Sequence, residues 1–573
     1  MILDRSLLMT EAEGLKWHEY KATLGPLYPG YPNFDIYMRW LQERFKEYGC
    51  VDFMEHRWPF NSYRVNDWPD HDSGALGLVS DGKKLPVGTF MMCSGSTGEA
   101  GLTAPLVYHD SRDGDPEPGA FAGRIAVIKS YPFPEPPYDE EFLKSYVITD
   151  TDYRSEPAPP AGLLETVNPA VSNSWNTRWE FFQWATLLKQ AEAGGAAGMI
   201  VASSLTYGCL EGLYDRCKRH EMPCLVVDRV TSETLIADAK AGKTATMTLV
   251  SEFFDCENWN FVCFLPGAHY GTDLDEYVSL NAHVDAMSLT QDNGSLGLLG
   301  VCRYFASLPQ SQRRKTLLFC IDTRHFIEGG DFSPENWPHD PYQVFPELVP
   351  KVTATIGLEH MGEMEARENY ETNRMEPTGR PELTFMRSDD NDFCARILIE
   401  AAVESGLERA DIKIDSRPGI HGMFKGRVRA IMAMCHKLGV CEIGQAGNWP
   451  GAHTQTFSTL QYFGPRKFRD EVEVWTKVTG QLMEADSIVY DLVWSKINVA
   501  IRNLAAEGSI TALAKEGLLG LVSSIFRFVE NGKYAIAARR LEVELKPAVK
   551  TLLREDAAPV ITAIDAAIAK LPR

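Results

Sequence analysis

Apolar residues along this chain change their spacing three times, and each change marks a different kind of unit. Residues 10–50 carry Tyr37, Trp40, Leu41, Phe45 and Tyr48 at spacings of three to four, one apolar stripe along a helix that Gly49 closes. A strand-like run follows from Phe53 to Val65. From about 85 to 255 the texture is short β runs punctuated by glycine and proline, such as Val87–Met92, Ala104–Tyr108 and Gly123–Ile128. A proline- and acid-rich stretch near 131–160 reads as an exposed loop, after which come a helix over Phe181–Ala193 and strands at Gly198–Ala202 and Pro223–Val227.

Between about 257 and 495 buried strands near Tyr277–Asn281, Thr316–Ile321, Val352–Leu358 and Ala430–Met434 alternate with helices such as Gly297–Leu308 and Asp392–Glu404. That alternation predicts an α/β fold with a mostly parallel central sheet flanked by helices, whose ligands gather at the carboxyl ends of the strands. Residues 500–573 are rich in alanine and leucine and predict helices, with breaks at Gly508, Gly517 and Gly532. Such a tail is either a dimerisation element or a bundle packed on its own core. The expected divisions are 1–84, 85–255, 256–495 and 496–573.

Composition narrows the function classes. A chain of 573 residues exceeds one compact core, and 44% hydrophobic with 24% charged residues is ordinary for a globular protein. The formal charge of -21 argues against nucleic acid as a partner, because phosphate binding needs clustered Lys and Arg. No signal peptide and no long apolar window is visible, and the twelve cysteines form no CxxC pair. The expectation is a soluble cytoplasmic protein with free thiols and no membrane partner.

The chemistry concentrates after the run Tyr277–Leu280. There His283 is followed by Asp285 and by Asp292-Asn293, a pattern typical of a metal site at a strand end. A later strand, Thr316–Ile321, runs into Asp322-Thr-Arg-His325. Together with Glu359-His-Met-Gly362 and His453-Thr454, these motifs resemble, in order and over residues 30–495, the co-catalytic zinc aminopeptidases. That superfamily includes glutamate carboxypeptidase II and the transferrin receptor. Ala191–Ile200 and Met222–Asp228 are similar to its inserted β-rich protease-associated domain, placed here at 85–255. The resemblance implies one metal on His283, Asp292 and Glu359 and a second on Asp292, His325 and His453, with Asp292 bridging. It implies that Asp285 orients His283.

One position departs from the family: its paired glutamates, general base then ligand, fall on Arg324 and His325. Arginine stays protonated and cannot take a proton from water. Arg324 is then expected to bind a substrate carboxylate or stabilise an oxyanion, or else to fill the place of a lost metal. A base must come from elsewhere, with His421 in the loop Pro418–Phe424 ahead of Glu328 and His360. Asn448–Gly451 offers an aromatic wall or a turn around a buried Trp. The implied cofactor is one or two divalent ions, zinc first, iron or manganese next. Three functions stay open: a metal-dependent hydrolase of an amide or peptide-like small substrate, a non-hydrolytic enzyme such as a lyase, and an inactive binding protein. A homodimer is expected.

Overall fold

A computed structural model describes residues 3–571 apart from 66–73, 132–142, 148–179, 181–182, 214–217, 287–288, 291, 331–332, 383, 390–391, 416–440, 448–458, 485–495, 499, 502, 506–507 and 531–532. The main sheet has nine strands in the order Val51–Val65, Ser251–Leu265, Thr316–Asp322, Tyr277–His283, Val352–Leu358, Cys441–Gly447, Thr384–Asp389, Ala410–Asp415 and Leu143–Val147. The three site-bearing strands at 277–283, 316–322 and 352–358 are parallel, as is 441–447 beside them. They are buried almost throughout, as expected for continuous apolar runs covered on both faces. Antiparallel pairings enter on both sides, although Thr384–Asp389 and Ala410–Asp415 pair in parallel, so the sheet is mixed.

Two antiparallel partners were hidden from the pattern. Ser251–Leu265 pairs with Val51–Val65 almost end to end, and it crosses residue 255 without a break. Its Trp259, Phe261, Cys263 and Leu265 enter the main core, while Tyr63, Val65 and Phe253 at the other end of the ribbon pack with a second sheet. Leu143–Val147, inside the stretch expected to be a loop, is the last strand of the main sheet. Its β-favouring residues were masked by the prolines and acids around it. The expected strand at Ala430–Met434 lies outside the described residues.

The second sheet has eight strands between residues 76 and 249, with parallel pairings over Leu102–Asp110, Ile125–Lys129, Gly198–Ala202 and Cys224–Val227. A hairpin of Met364–Asn369 and Arg374–Pro381 leaves the main sheet and packs Ala366 and Met375 into the second sheet's outer core. The C-terminal helices bury a cluster drawn only from residues 497–571. Ala512–Glu530 is one helix, so Gly517 does not break it; Gly508, with φ of +77°, does mark a turn. Gly532 lies outside the described residues. No described helix is long and apolar enough to cross a membrane, and the described cysteines are free thiols.

Candidate metal centre

Parallel register decides which side chains meet. His283 pairs with Asp322, and Asn281 with Gly357, so three neighbouring strands end at one level. His283 is the last residue of its strand, Glu359 follows Leu358 directly, and His325 comes three residues after Asp322. The ligand-capable atoms of His283, His325 and Glu359 lie within 4.8 Å of one another, and all three residues are buried. Nε2 of His283 is 3.2 Å from Oε2 of Glu359. The two imidazole rings sit 4.3 Å apart. This cluster takes His283 and Glu359 from the first implied metal and His325 from the second.

Asp285 lies behind His283. Its Oδ1 is 3.4 Å from His283 Nδ1, an ion-pair distance without hydrogen-bond alignment, and its Oδ2 accepts from the Phe326 N–H at 2.5 Å. One carboxylate thus ties the turn after His283 to the residue following His325. Burial drives the His283 pKa down, but Asp285 and Glu359 outweigh it and raise it to about 10. Burial raises Asp285 and Asp292 as well, against the pull of neighbouring cations. A buried pocket with these carboxylates calls for positive charge.

The donor set fits a divalent ion. Two imidazoles and one carboxylate leave a coordination position open, as catalytic zinc sites do, and also match the facial arrangement of non-haem iron. Asp292 does not join this cluster. Its Oδ1 accepts from Lys21 Nζ at 2.5 Å, with both side chains at most 3% exposed, while its Oδ2 has no hydrogen-bond partner. The carboxylate expected to bridge two metals thus has one oxygen on an ammonium group.

The helix that brings Lys21 also brings His18. Glu11–Ala22 begins with a capping box in which the Thr10 side chain accepts from Glu13 N–H and Glu13 accepts from Thr10 N–H. One turn before Lys21, His18 stacks on Phe463 at 3.7 Å. Burial lowers its pKa to about 3, so the ring is neutral. Its Nδ1 faces Gly14 O at 2.8 Å and donates there, so Nε2 accepts from Asn293 Nδ2 at 2.9 Å. Asn293 also grips Met361, accepting from its N–H and donating to its carbonyl. Asn293 thus clamps the turn that carries Glu359.

Arg324 is directed away from the role expected for it. Its Nε and Nη2 donate to Asp322 at 2.8 and 2.6 Å, Nη2 reaches Asp340 at 2.7 Å, and Nη1 reaches the Asn336 carbonyl. The side chain is 2% exposed. A substrate carboxylate would have to displace these partners; the guanidinium braces the turn instead. Burial lifts Asp340 to about 6 despite the arginine. Glu328 accepts from the Arg219 N–H at 2.9 Å on the rim. His360 adopts φ of +55° with Nε2 3.6 Å from Glu359. His421, His453 and Asn448–Gly451 lie outside the described residues.

Lys21, His18 and Asn336 went unnoticed in the sequence. The box Thr10-Glu11-Ala12-Glu13 is a legible helix start, but nothing in it marks a lysine eight residues after Glu13 as buried.

No protein-family model and no curated protein matches the chain. Solved structures do. The chain is similar to a peptidase M28 precursor from Shewanella amazonensis SB2B, at 14% identity, covering 83% of this chain and 98% of that one with a TM-score of 0.54. It is also similar to BSAP, a zinc aminopeptidase from Bacillus subtilis, at 14% identity with coverages of 83% and 95% and a TM-score of 0.49. An aminopeptidase from Aneurinibacillus sp. strain AM-1 follows at 15% identity, 82% and 93% coverage and a TM-score of 0.46. Identities this low speak for the fold alone, and over most of its length the chain has an α/β fold like that of the peptidase M28 precursor.

Proposed function

We propose that the chain is a metal-dependent hydrolase of an amide or peptide-like small substrate. The observation that carries this is the buried convergence of His283, His325 and Glu359 at the ends of three parallel strands. A divalent ion held there would supply Lewis acidity toward a carbonyl and acidify water. The chain's own part is to fix that geometry. Asp285 orients His283, Asn293 clamps the Glu359 turn, and Arg324 braces the turn leading to His325. We assign proton transfer to His421, on the strength of its glycine-flanked loop.

Zinc-, manganese- and iron-loaded protein should turn over members of a broad amide and peptide panel, and Glu359→Gln or His325→Ala should abolish both metal retention and turnover. Failure of every loaded form across the panel overturns the reading. A non-hydrolytic reaction is the second reading, favoured by one observation: the position of the family's general base is an arginine already engaged by Asp322 and Asp340. Reaction in oxygen-18 water separates the two, since a hydrolase labels its product.

A further inference from the structure

We infer that the ammonium of Lys21 stands in for a second cation, so that the centre holds one divalent ion per chain. This rests on reading His283, His325 and Glu359 as ligands. Lys21 Nζ lies 2.5 Å from Asp292 Oδ1, one of the two oxygens that a bridging carboxylate would divide between two metals. The lysine has no room to swing out. It is 3% exposed, its Nζ lies 5.9 Å from the centre of the Tyr37 ring, and its helix is fixed by the Thr10 capping box and by His18 on Asn293. An ammonium has three donors and no acceptor, so it satisfies a carboxylate as a cation does but coordinates nothing.

Charge balance leads to the same count. Among the described residues the pocket holds the carboxylates of Asp285, Asp292 and Glu359 and the ammonium of Lys21, all buried. One dication brings that group to neutrality, whereas two would leave a buried excess of positive charge, which is costly away from water. The adjoining Asp322 and Asp340 already share Arg324.

The test is the number of zinc ions retained per chain, by elemental analysis of full-length protein loaded with zinc and stripped of excess, with circular dichroism to confirm folding. Wild type should hold one ion, and His283→Ala none. Lys21→Arg, which keeps the charge, should hold one. Lys21→Glu, which puts a carboxylate where the ammonium stood, brings the group to four carboxylates that two dications balance, and should hold two. Two ions in the wild type overturn the proposal, whether or not Lys21→Glu folds, and so does a folded Lys21→Glu chain that stays at one. A wild type that retains none refutes the ligand reading itself, a separate failure.

Discussion

Gly294→Ala should cripple metal binding from outside the ligand set. Gly294 opens the helix Gly294–Ala306, directly after Asp292-Asn293, and packs against the end of the strand that carries Glu359. A Cβ built there would fall far inside 3.0 Å of the Leu358 carbonyl oxygen and carbon, and 3.1 Å from the Glu359 nitrogen. The obstruction is backbone, so no side chain can turn aside to admit the methyl group. The strand end must retreat by on the order of 1 Å, while metal sites tolerate ligand displacements of about 0.2 Å. The clamp between Asn293 and Met361, at 2.6 and 2.8 Å, opposes that retreat and would be strained by it. Overpacking of this kind costs about 3 kcal/mol, and misplacing a ligand's support lowers metal affinity about 10- to 100-fold. Calorimetric titration of metal-free protein with zinc measures the affinity, and urea denaturation the stability. A folded Gly294→Ala chain that binds zinc within threefold of wild type would refute the reasoning.

The remaining predictions concern stability. Gly517 lies within the helix Ala512–Glu530 with open space where a Cβ would go, so Gly517→Ala should stabilise the C-terminal bundle by about 0.5–1 kcal/mol in urea; an unchanged or lower midpoint counts against a continuous helix. Asp228 caps the helix Arg229–Lys240 by accepting from the N–H groups of Val230 and Thr231, so Asp228→Ala should cost about 1 kcal/mol by the same assay, and a neutral result would sink the capping argument. Burial pushes Glu365 up, but hydrogen bonds from Thr378, Arg380 and Arg409 outweigh it and hold the carboxyl at about 2, below its ordinary 4.5. A lowered folded pKa gives stability that is present above pH 4.5 and lost as pH falls toward 2, at most about 3 kcal/mol before solvent screening reduces it. The melting-temperature gap between wild type and Glu365→Gln should therefore shrink from pH 7 to pH 3, and a constant gap would contradict it.

The parallel heart of the fold was legible because its strands are short, largely apolar runs with few charged residues, and burial on both faces leaves that signature. Their carboxyl ends located His283, His325 and Glu359, since register carries ligands at strand ends to one level. Pairings without a local signature were not legible. Ser251–Leu265 mixes charged and apolar residues because one end is exposed and the other is core. Leu143–Val147 owes its place to Ala410–Asp415, more than 260 residues away. Lys21 reads as an ordinary solvated lysine on a helix, and only its tertiary partner, 271 residues on, makes it part of the centre. Arg324 was visible as a chemical anomaly, but its commitment to Asp340, sixteen residues later, depends on the intervening turn that Asn336 organises.

The three departures from the expected metal pair act in one direction. Where the resemblance calls for two glutamates, His325 supplies a neutral donor and Arg324 a fixed positive charge, so two carboxylates are gone from the neighbourhood. Lys21 adds an ammonium on the carboxylate that would have bridged. Each change lowers the positive charge that the pocket can still accept, and together they remove more than the balance a second dication would require. An arginine drawn into the pocket would have added a further cation; Asp322 and Asp340 take it up outside the ligand cluster and leave the cluster's charge to one ion and one lysine. On the proposed one-ion reading, the same exchange leaves no carboxylate base at position 324 beside the ion, so the single cation and the absent base are two consequences of one arrangement. Adding a carboxylate alone, as Arg324→Glu, should therefore fail to raise peptide turnover above the wild-type level. The new carboxylate would stand against Asp322 and Asp340 with no cation between them, and like charges in a buried site push one another toward the protonated form. A rise in peptide turnover seen only when Lys21→Met and His325→Glu accompany Arg324→Glu would show the three positions working as one unit, whereas the full rise from Arg324→Glu alone would break the link.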